Sequence, residues 1–341
     1  MTSPRGVPAK RQAKRVSVGC SRALLDSALD RAIVPGYSRI GFALRRRWWA
    51  PDDPAPGSLR GRSALVTGAT SGLGRATALG LGRLGADVRL VVRDEQRGHQ
   101  VAAELAGEAP EGTFTVTRCD LSDLDDVRRA CAELRADLDR IDVLVHNAGA
   151  MPAQWTASAQ GHETTVAVHV LGPVLMTELL LPMLRGHAAR VVLVASGGMY
   201  TQRLDADDPE YQATPYRKAT AYARSKRMQV ALTPLLQERW AAAGVAVYAM
   251  HPGWADTPGV AEAMPVFRAV TGPLLRTPEA GADTAVWLAA TRPAPGGGLF
   301  WQDRRPRPEH YRRRTRETPA ERDRVWRWVR DQVGIDPDAV R

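Results

Sequence analysis

The chain has 341 residues, of which 44% are apolar and 25% charged, and a net charge of +10. This length and apolar fraction suffice for a buried core in one α/β domain of about 250 residues with extensions. No apolar run reaches the roughly 18 residues of a membrane span, and none follows the basic N-terminus as in a secretory signal. We therefore expect a cytoplasmic protein with no metal site, in which Cys20, Cys119 and Cys131 are reduced thiols.

Most of the positive charge lies in residues 1–50, which contain eleven basic residues and two acidic ones. Residues 1–57 are interpreted as a basic N-terminal extension with a disordered start and short helices. Residues 23–49 end in three arginines and two tryptophans, which could dock on an anionic membrane surface. The alternative is a helix packed on the domain with its arginines exposed. Charge alone, without a recognition motif, does not predict nucleic-acid binding.

From residue 63 onward, strand-like apolar runs alternate with helical stretches. This alternation predicts an α/β, Rossmann-type, doubly wound fold with a seven-stranded parallel sheet and helices on both faces. The domain is assigned to residues 58–303, and residues 304–341 form an Arg-rich C-terminal tail with a short helix at 319–333. The predicted strands are 64–67, 88–92, 113–117, 143–146, 191–195, 246–249 and 299–301.

A glycine-rich turn follows the first predicted strand and opens a helix. Glycine permits a sharp turn and a close approach of the backbone to a pyrophosphate, and the helix N-terminus favours the phosphate charge. The spacing Gly-x-x-x-Gly-x-Gly after Thr67 resembles the short-chain dehydrogenase/reductase family. The resemblance implies a dinucleotide site that includes Gly68, Thr70, Ser71, Gly72, Leu73 and Gly74.

Two neighbouring residues after the second strand bear on the choice of dinucleotide. A carboxylate at the strand end would bind the ribose of NAD and repel a 2′-phosphate. That place is taken by Val92, and Arg93 follows, which can contact a phosphate in a bidentate manner. NADP(H) is therefore preferred. If the alignment slides by one residue, Asp94 becomes the ribose ligand and NAD(H) the cofactor.

Three further segments resemble cofactor-contacting segments of the same family. They imply contacts from Asp120 and Leu121 beside the adenine, from Asn147, Ala148 and Gly149 along the cleft, and from Pro252, Gly253 and Thr257 at the nicotinamide end. Each segment is common by itself. Their order along the chain makes the combination informative.

Ser196, Tyr222 and Lys226 form the candidate catalytic group. The i, i+4 spacing places Tyr222 and Lys226 on one face of a helix. A neighbouring ammonium group and an oxidised nicotinamide favour phenolate, so Tyr222 could exchange a proton with a substrate oxygen near neutral pH. Ser196 would donate a hydrogen bond to that oxygen, and Lys226 would also hold the nicotinamide ribose. An ordinary exposed helix pair is the alternative interpretation of Tyr222 and Lys226.

Two features depart from the usual family pattern. Residues 200–220 lengthen the spacing between Ser196 and Tyr222 and are interpreted as a loop insertion beside the substrate mouth, as in the retinol-dehydrogenase-like branch. His169 stands where the family has an asparagine that holds a water in the proton relay to the lysine. His169 could relay protons itself, or it could be a packed core residue.

Residues 258–275 contain Met264, Phe267 and Val270 among prolines and glycines and are interpreted as a mobile lid over a lipophilic carbonyl or alcohol substrate. Simple packing explains these residues equally well. Motifs at 196–199, 251–258 and 302–304 narrow the resemblance, over residues 58–308, to the subgroup around dehydrogenase/reductase family member 12. By family analogy we expect a homo-oligomer. The competing hypothesis is a non-catalytic, membrane-associated dinucleotide-binding regulator.

Overall fold

A computed structural model of the chain describes residues 22–263 and 265–335. Cys20, Met264, the last six residues and almost all of the predicted disordered start lie outside them. A single sheet has the strand order β3-β2-β1-β4-β5-β6-β7-β8. The strands are β1 Ser63–Thr67, β2 Asp87–Val92, β3 Thr113–Arg118, β4 Val143–His146, β5 Arg190–Val194, β6 Ala246–Met250, β7 Leu299–Gln302 and β8 Arg305–Pro306.

Strands β1 to β7 pair in parallel, which confirms the predicted Rossmann-type class. The predicted count of seven is one too low, because β8 adds an antiparallel edge strand to β7. A two-residue strand that contains a proline has no hydrophobic periodicity, so its sequence carries no strand signal.

Helices cover both faces of the sheet and extend beyond it at both ends of the chain. Residues 22–31 form α1. The other helices are α2 Ile33–Tyr37, α3 Arg39–Arg46, α4 Gly72–Arg83, α5 Glu95–Glu108, α6 Leu124–Asp137, α7 Thr164–Leu184, α8 Lys218–Ala241, α9 Pro258–Ala263, α10 Pro265–Thr271, α11 Pro278–Ala290 and α12 Pro319–Val333. Helix α12 occupies the predicted range, and a capping box between Thr318 and Glu321 begins it.

Successive strand residues divide between two hydrophobic layers because side chains alternate across a sheet. Leu65 of β1 packs with α6, α7 and α8 on one face. Ala64 and Val66 pack with α4, α5 and α11 on the other. Burial on both faces explains why the strands read as continuous apolar runs.

Helix α7 is the long apolar segment of the sequence. Among the described residues it alone is long and apolar enough to cross a membrane, and most of it is buried within the protein. A π-helical turn, Ala167–Leu171, interrupts its first half. Such turns often lie at functional sites, and this one contains His169.

The C-terminal helix α12 completes the layer that contains α7 and α8. Val325, Val329 and Val333, spaced four residues apart on one face, are fully buried in that layer. A buried ion pair between Arg227 of α8 and Glu317, with 2.9 Å between nitrogen and oxygen, holds the segment before α12. The C-terminal segment therefore packs as part of the core.

Candidate active site

The candidate cleft lies at the carboxyl ends of β1 and β4, where the strand order reverses. In doubly wound sheets this switch point is the usual ligand site, because the loops from the two strands diverge and leave a crevice. The glycine-rich turn leaves β1, and Asn147, Ala148 and Gly149 follow β4. The fold thus brings the two predicted cofactor segments to the same edge of the sheet.

The glycine turn is shaped by close backbone contacts. Gly68 has φ +65°, and a Cβ there would lie 2.7 Å from the Cα of Ala148. A Cβ on Gly74 would lie 2.2 Å from the carbonyl oxygen of Gly68 and 2.4 Å from Nδ2 of Asn147. Larger residues would push the turn and the start of α4 away from β4. Ser71 is the N-cap of α4 and makes no side-chain cap hydrogen bond, so the helix N-terminus keeps free donors.

Asn147 and Thr67 join the two sides of the crevice. The Asn147 side chain donates to the carbonyl oxygens of Thr67 at 3.0 Å and Gly68 at 3.2 Å. The Thr67 hydroxyl oxygen accepts from the backbone N–H groups of Asn147 and Ala148, both at 3.0 Å. These four hydrogen bonds hold the segment after β4 against the glycine turn.

At the end of β2, one of the two candidate specificity residues has a hydrogen-bond partner within the protein and the other has none among the described residues. Asp94 is the N-cap of α5, and its carboxylate accepts a hydrogen bond from the Arg97 backbone N–H at 3.0 Å. Arg93 is exposed and has no hydrogen-bond or ion-pair partner among the described residues. The guanidinium is therefore available to a ligand, whereas the carboxylate is already used by the helix.

Asp120, at the end of β3, is likewise held by its own loop. Its carboxylate accepts from the Ser122 backbone N–H at 2.9 Å and from the Ser122 hydroxyl at 2.7 Å. Leu121 is buried, and its carbonyl oxygen lies against Gly172 of α7, where a Cβ would come within 2.5 Å. This loop is thereby fixed beside the crevice by α7.

Ser196, Tyr222 and Lys226 come together at the end of β5. The Ser196 side chain lies close enough to the Tyr222 hydroxyl to lower the pKa of Tyr222. The Lys226 ammonium lies 5.7 Å from the centre of the Tyr222 ring and donates to the carbonyl oxygen of Val194 at 2.8 Å. Tyr222 keeps partial exposure, whereas Lys226 is buried. The hydroxyl pair therefore faces the accessible side and the lysine supports it from behind.

Burial dominates the ionisation of this group. It lowers the pKa of Lys226 from 10.5 to about 7 and raises the pKa of Tyr222, which the nearby Ser196 side chain lowers in part. A lysine that loses its charge near neutral pH stabilises a phenolate less. Without nucleotide, the pKa of Tyr222 thus moves in the direction opposite to the one expected for catalysis.

His169 is fully buried behind Tyr222, with the two rings edge-to-face at 5.3 Å. Its Nε2 accepts from the Ala150 backbone N–H at 3.0 Å, so the proton must be on Nδ1, which donates to the Ser225 hydroxyl oxygen at 2.7 Å. Burial and the neighbouring Lys226 hold the pKa of His169 well below its usual value. The imidazole is therefore neutral, and both nitrogens are used by partners other than the lysine.

The predicted nicotinamide-end segment follows β6 as a loop. His251 accepts from the Gly253 backbone N–H at 3.0 Å, which sets the turn. Gly253 has φ +73°, and a Cβ there would meet the guanidinium of Arg276 at 2.4 Å. Thr257 lies against the glycine turn, 3.2 Å from the position of a Cβ on Gly72. The loop thus closes one side of the crevice.

Sequence reasoning missed the support beneath this loop. Arg276, which is 1% exposed, donates to the Pro252 carbonyl oxygen at 3.2 Å and to both carboxylate oxygens of Asp303 at 2.6 and 2.9 Å. It also donates to the carbonyl oxygen of Tyr37 in α2 at 2.9 Å, and the same oxygen accepts from the Trp254 backbone N–H at 2.8 Å. The N-terminal helices are therefore bonded directly to the loop.

A second buried arginine extends this network. Arg45 of α3 donates to Asp26 of α1 at 2.7 Å and to Asp303 at 2.6 Å. Arg307 contacts both carboxylate oxygens of Asp26, at 2.7 and 3.0 Å. The charges alternate, which lowers the pKa values of Asp26 and Asp303 despite burial. The two acids among the first fifty residues were the sequence signal for these partners.

Asp303 occupies a strained turn. Asp303 and Arg304, which join β7 to β8, have φ of +49° and +58°, a backbone conformation that residues other than glycine rarely adopt. The ion pairs of Asp303 and a bidentate pair between Arg304 and Asp283, at 2.9 and 2.7 Å, hold them there. The turn places a carboxylate under the nicotinamide-end loop.

One group of potential metal ligands, Glu309, His310 and Glu317, lies away from the cleft. The Arg227 guanidinium donates to the Glu309 carbonyl oxygen at 2.6 Å, to His310 Nε2 at 2.7 Å and to Glu317 at 2.9 Å. Because an arginine already neutralises the group, it serves as an ion-pair anchor for the C-terminal segment.

Comparison with known proteins identifies the family. The short chain dehydrogenase family model matches residues 62–265. The chain belongs to the short-chain dehydrogenase/reductase family. It is 38% identical over 295 residues to dehydrogenase/reductase SDR family member 12 of Bos taurus, covering 85% of this chain and 91% of that one. It is 35% identical over 308 residues to retinol dehydrogenase 14 of Mus musculus, with 84% and 91% coverage. The predicted family and subgroup are thus confirmed, and the chain belongs to a family of oxidoreductases.

Solved structures agree with this assignment. An uncharacterised protein from Mycobacterium paratuberculosis is 28% identical, covers 81% of this chain and 95% of its own, and has a TM-score of 0.65. An NAD(P)-dependent gluconate 5-dehydrogenase homologue from Beutenbergia cavernae with bound NADP is 30% identical, with 73% and 97% coverage and a TM-score of 0.59.

Proposed function

We propose that this short-chain dehydrogenase/reductase transfers a hydride between NADP(H) and a carbonyl or alcohol substrate, with Tyr222 as the acid/base. The observation that carries the proposal is the convergence of Ser196, Tyr222 and Lys226 at the end of β5, beside the switch-point crevice. A remote pair on a helix surface would not have a buried lysine behind a hydroxyl pair.

The crevice fits a dinucleotide. The cradle at Gly68 and Gly74 leaves room that a Cβ would fill, and the α4 N-terminus offers donors for a pyrophosphate. The unpaired Arg93 and the engaged Asp94 favour a 2′-phosphate, hence NADP(H), with NAD(H) as the alternative. The NADP-bound relative supports the same choice. The remaining predicted contacts are Thr70, Ser71, Gly72, Leu73, Asp120, Leu121, Asn147, Ala148, Gly149, Tyr222, Lys226, Pro252, Gly253 and Thr257.

The bound cofactor supplies or accepts the hydride, and the protein's own residues manage the proton. Ser196 donates a hydrogen bond to the substrate oxygen. The Tyr222 hydroxyl gives the proton to that oxygen in reduction and removes it in oxidation. Lys226, when protonated, lowers the pKa of Tyr222 and holds the nicotinamide ribose. This requires the bound enzyme to restore the charge that burial removes from Lys226 in the free protein.

For His169, the geometry supports a positioning role over a relay. Its ring bridges the backbone N–H of Ala150 and the hydroxyl of Ser225, one residue before Lys226. It therefore joins the segment after β4 to α8 at the catalytic turn. The relay predicted from the sequence would require one ring nitrogen to leave its present partner.

A lipophilic substrate is part of the proposal. Phe267 of α10 packs edge-to-face on Trp254 of the nicotinamide-end loop at 5.3 Å, which gives the entrance an apolar wall. Helices α9 and α10 are short, and Val266 and Val270 of α10 are exposed, as expected of a lid. The cytoplasmic location and the homo-oligomer remain predictions.

The decisive experiment measures NADPH oxidation with a panel of aldehydes, ketones and quinones for the wild type, Tyr222→Phe and Tyr248→Phe. Tyr248 is a buried tyrosine of β6 whose hydroxyl donates to the Pro295 carbonyl oxygen, so it controls for loss of a hydroxyl. We expect Tyr222→Phe to lower kcat by roughly 10²–10⁴-fold, with a much smaller change in the Kd for NADPH. Equal rates for Tyr222→Phe and the wild type would remove Tyr222 from its role.

Cofactor choice is tested separately with Arg93→Ala and its control Arg97→Ala, an exposed arginine one turn along α5. Loss of a charge-assisted phosphate contact should raise the Kd for NADPH by about 10- to 100-fold and leave NADH nearly unchanged. If Arg93→Ala weakens both nucleotides alike, NADP(H) is the wrong cofactor. Tight NADPH binding without turnover of any carbonyl would favour the alternative, a non-catalytic dinucleotide-binding regulator.

A further inference from the structure

Helix α1 buries its acidic residues and exposes two of its leucines. Asp26 and Asp30, one turn apart, face the protein and are buried, at 3% and 5% exposure. Leu24 and Leu25 face outward and are 68% and 49% exposed. A surface helix normally buries its apolar face and hydrates its acids. Here the ion network described above holds the acids inside, so the leucines are left in contact with solvent.

The same exposure continues along the next two helices. Ile33 and Val34 of α2 and Ile40 of α3 are each about half exposed, at 52%, 51% and 48%. Together with Leu24 and Leu25 they account for five of the ten exposed large hydrophobic side chains among the described residues. Their concentration in a segment of seventeen residues indicates a surface that contacts an apolar partner.

Exposed arginines lie in the same N-terminal segment and in the loop after β8. The Tyr311 hydroxyl donates to Asp30 of α1 at 2.5 Å, which brings the loop after β8 beside α1. Among the described residues, none of the exposed arginines of these two segments has a carboxylate within ion-pair distance. They are Arg22, Arg31, Arg39, Arg46 and Arg47 from the N-terminal helices and Arg312, Arg313, Arg314 and Arg316 from the loop.

We propose that these exposed aliphatic side chains and arginines form one membrane-docking surface, which binds the headgroup region of an anionic lipid bilayer. The leucines, isoleucines and valine would enter the boundary between headgroups and acyl chains, and the guanidinium groups would contact lipid phosphates and carboxylates. Asp26 is paired with Arg45 and Arg307, and Asp30 with Arg307 at 3.6 Å, so these buried acids do not oppose the attraction. A nucleic acid would use the arginines and leave five aliphatic side chains exposed, so the bilayer fits better.

The docking surface adjoins the candidate substrate entrance. The ring of Tyr37 in α2 packs edge-to-face against the Trp254 ring, with 6.4 Å between ring centres, and Trp254 packs in the same way against Phe267 of α10. Val266 and Val270, spaced four residues apart on α10, are 77% and 76% exposed. A docked protein would therefore hold its lid near the source of a lipophilic substrate. This last step rests on the proposed function, whereas the docking itself does not.

The test is co-sedimentation of the full-length protein with vesicles of phosphatidylcholine, with and without about one third phosphatidylserine. We expect binding to the anionic vesicles that weakens with salt. Replacing Leu24 and Leu25 by serine should lower the partition coefficient by about tenfold or more. Replacing Arg312, Arg313, Arg314 and Arg316 by glutamine should lower it about fivefold per arginine at low salt.

Leu299→Ser and Arg135→Gln, exposed residues outside this surface, are the matched controls and should bind as the wild type does. The Kd for NADPH should be unchanged in all variants, which separates failure of docking from failure of the proposed enzyme. The proposal is overturned if the wild type ignores anionic vesicles, binds neutral ones equally well, binds a DNA duplex in preference to them, or tolerates the two sets of substitutions.

Discussion

Lys226→Met should change how the stability of the protein depends on pH. Methionine keeps most of the aliphatic stem but removes the ammonium. Burial lowers the pKa of Lys226 from 10.5 to about 7 in the folded chain. Between those values the unfolded lysine is protonated and the folded one is neutral, so the unfolded state binds more protons and stability rises with pH. Below about pH 7 both are protonated and the whole cost of the buried charge is present.

The magnitude follows from the shift. At about 1.4 kcal/mol per pKa unit, this lysine should make the wild type gain roughly 2–3 kcal/mol in unfolding free energy between about pH 6 and about pH 9. The variant lacks that gain. The unfolding free energy of Lys226→Met minus that of the wild type should therefore fall by the same roughly 2–3 kcal/mol over this pH range. Denaturant unfolding of both proteins at several pH values measures it.

Lys218→Met, at the first residue of the same helix, is the control, and its stability curve should follow that of the wild type. Because the chain has four lysines, ¹³C-labelled lysine offers an independent measurement by NMR. The signal that Lys226→Met abolishes should titrate near pH 7. Parallel stability curves for Lys226→Met and the wild type, or a signal that titrates near pH 10, would show that the ammonium is solvated and that the pKa reasoning is wrong.

Three other changes probe the crevice and its supports. Gly74→Ala should abolish NADPH binding in calorimetric titration, because its Cβ would lie 2.2 Å from a carbonyl oxygen. Gly107→Ala, whose Cβ would have nothing within 4 Å, is the control and should stabilise α5 by about 0.5–1 kcal/mol in thermal unfolding. Ser225→Ala leaves Nδ1 of His169 unpaired and should cost about 1–3 kcal/mol, and an unchanged denaturation midpoint would contradict the tautomer assigned here. Asp303→Asn leaves two buried arginines short of charge and should cost about 3–5 kcal/mol in urea unfolding, so a loss below about 1 kcal/mol would refute the network.

Local sequence was sufficient for the seven parallel strands and for the glycine-rich turn. Continuous apolar runs predict strands buried on both faces, and the bounds of all seven predicted strands lie within one residue of the observed ones. The glycines after β1 carry their meaning locally, because only a residue without Cβ permits the contacts at Gly68 and Gly74. Helical spacing placed Tyr222 and Lys226 on one face, and their combination with the glycine turn, residues 147–149 and Ser196 singled them out as candidates.

Long-range partners were beyond that reasoning. Asp303 is 258 positions from Arg45 in the chain, and no periodicity links a two-residue strand to the N-terminal helices. The ionisation of Lys226 depends on how many groups surround it, which spacing does not reveal. The sequence by itself determined the fold class and the glycine-rich turn, because these depend on local periodicity and glycine geometry, and its family motifs supplied the candidate catalytic residues. Only the tertiary structure decided that the N-terminal helices support the nicotinamide-end loop and expose their apolar face, because buried charge pairing depends on residues that meet only after folding.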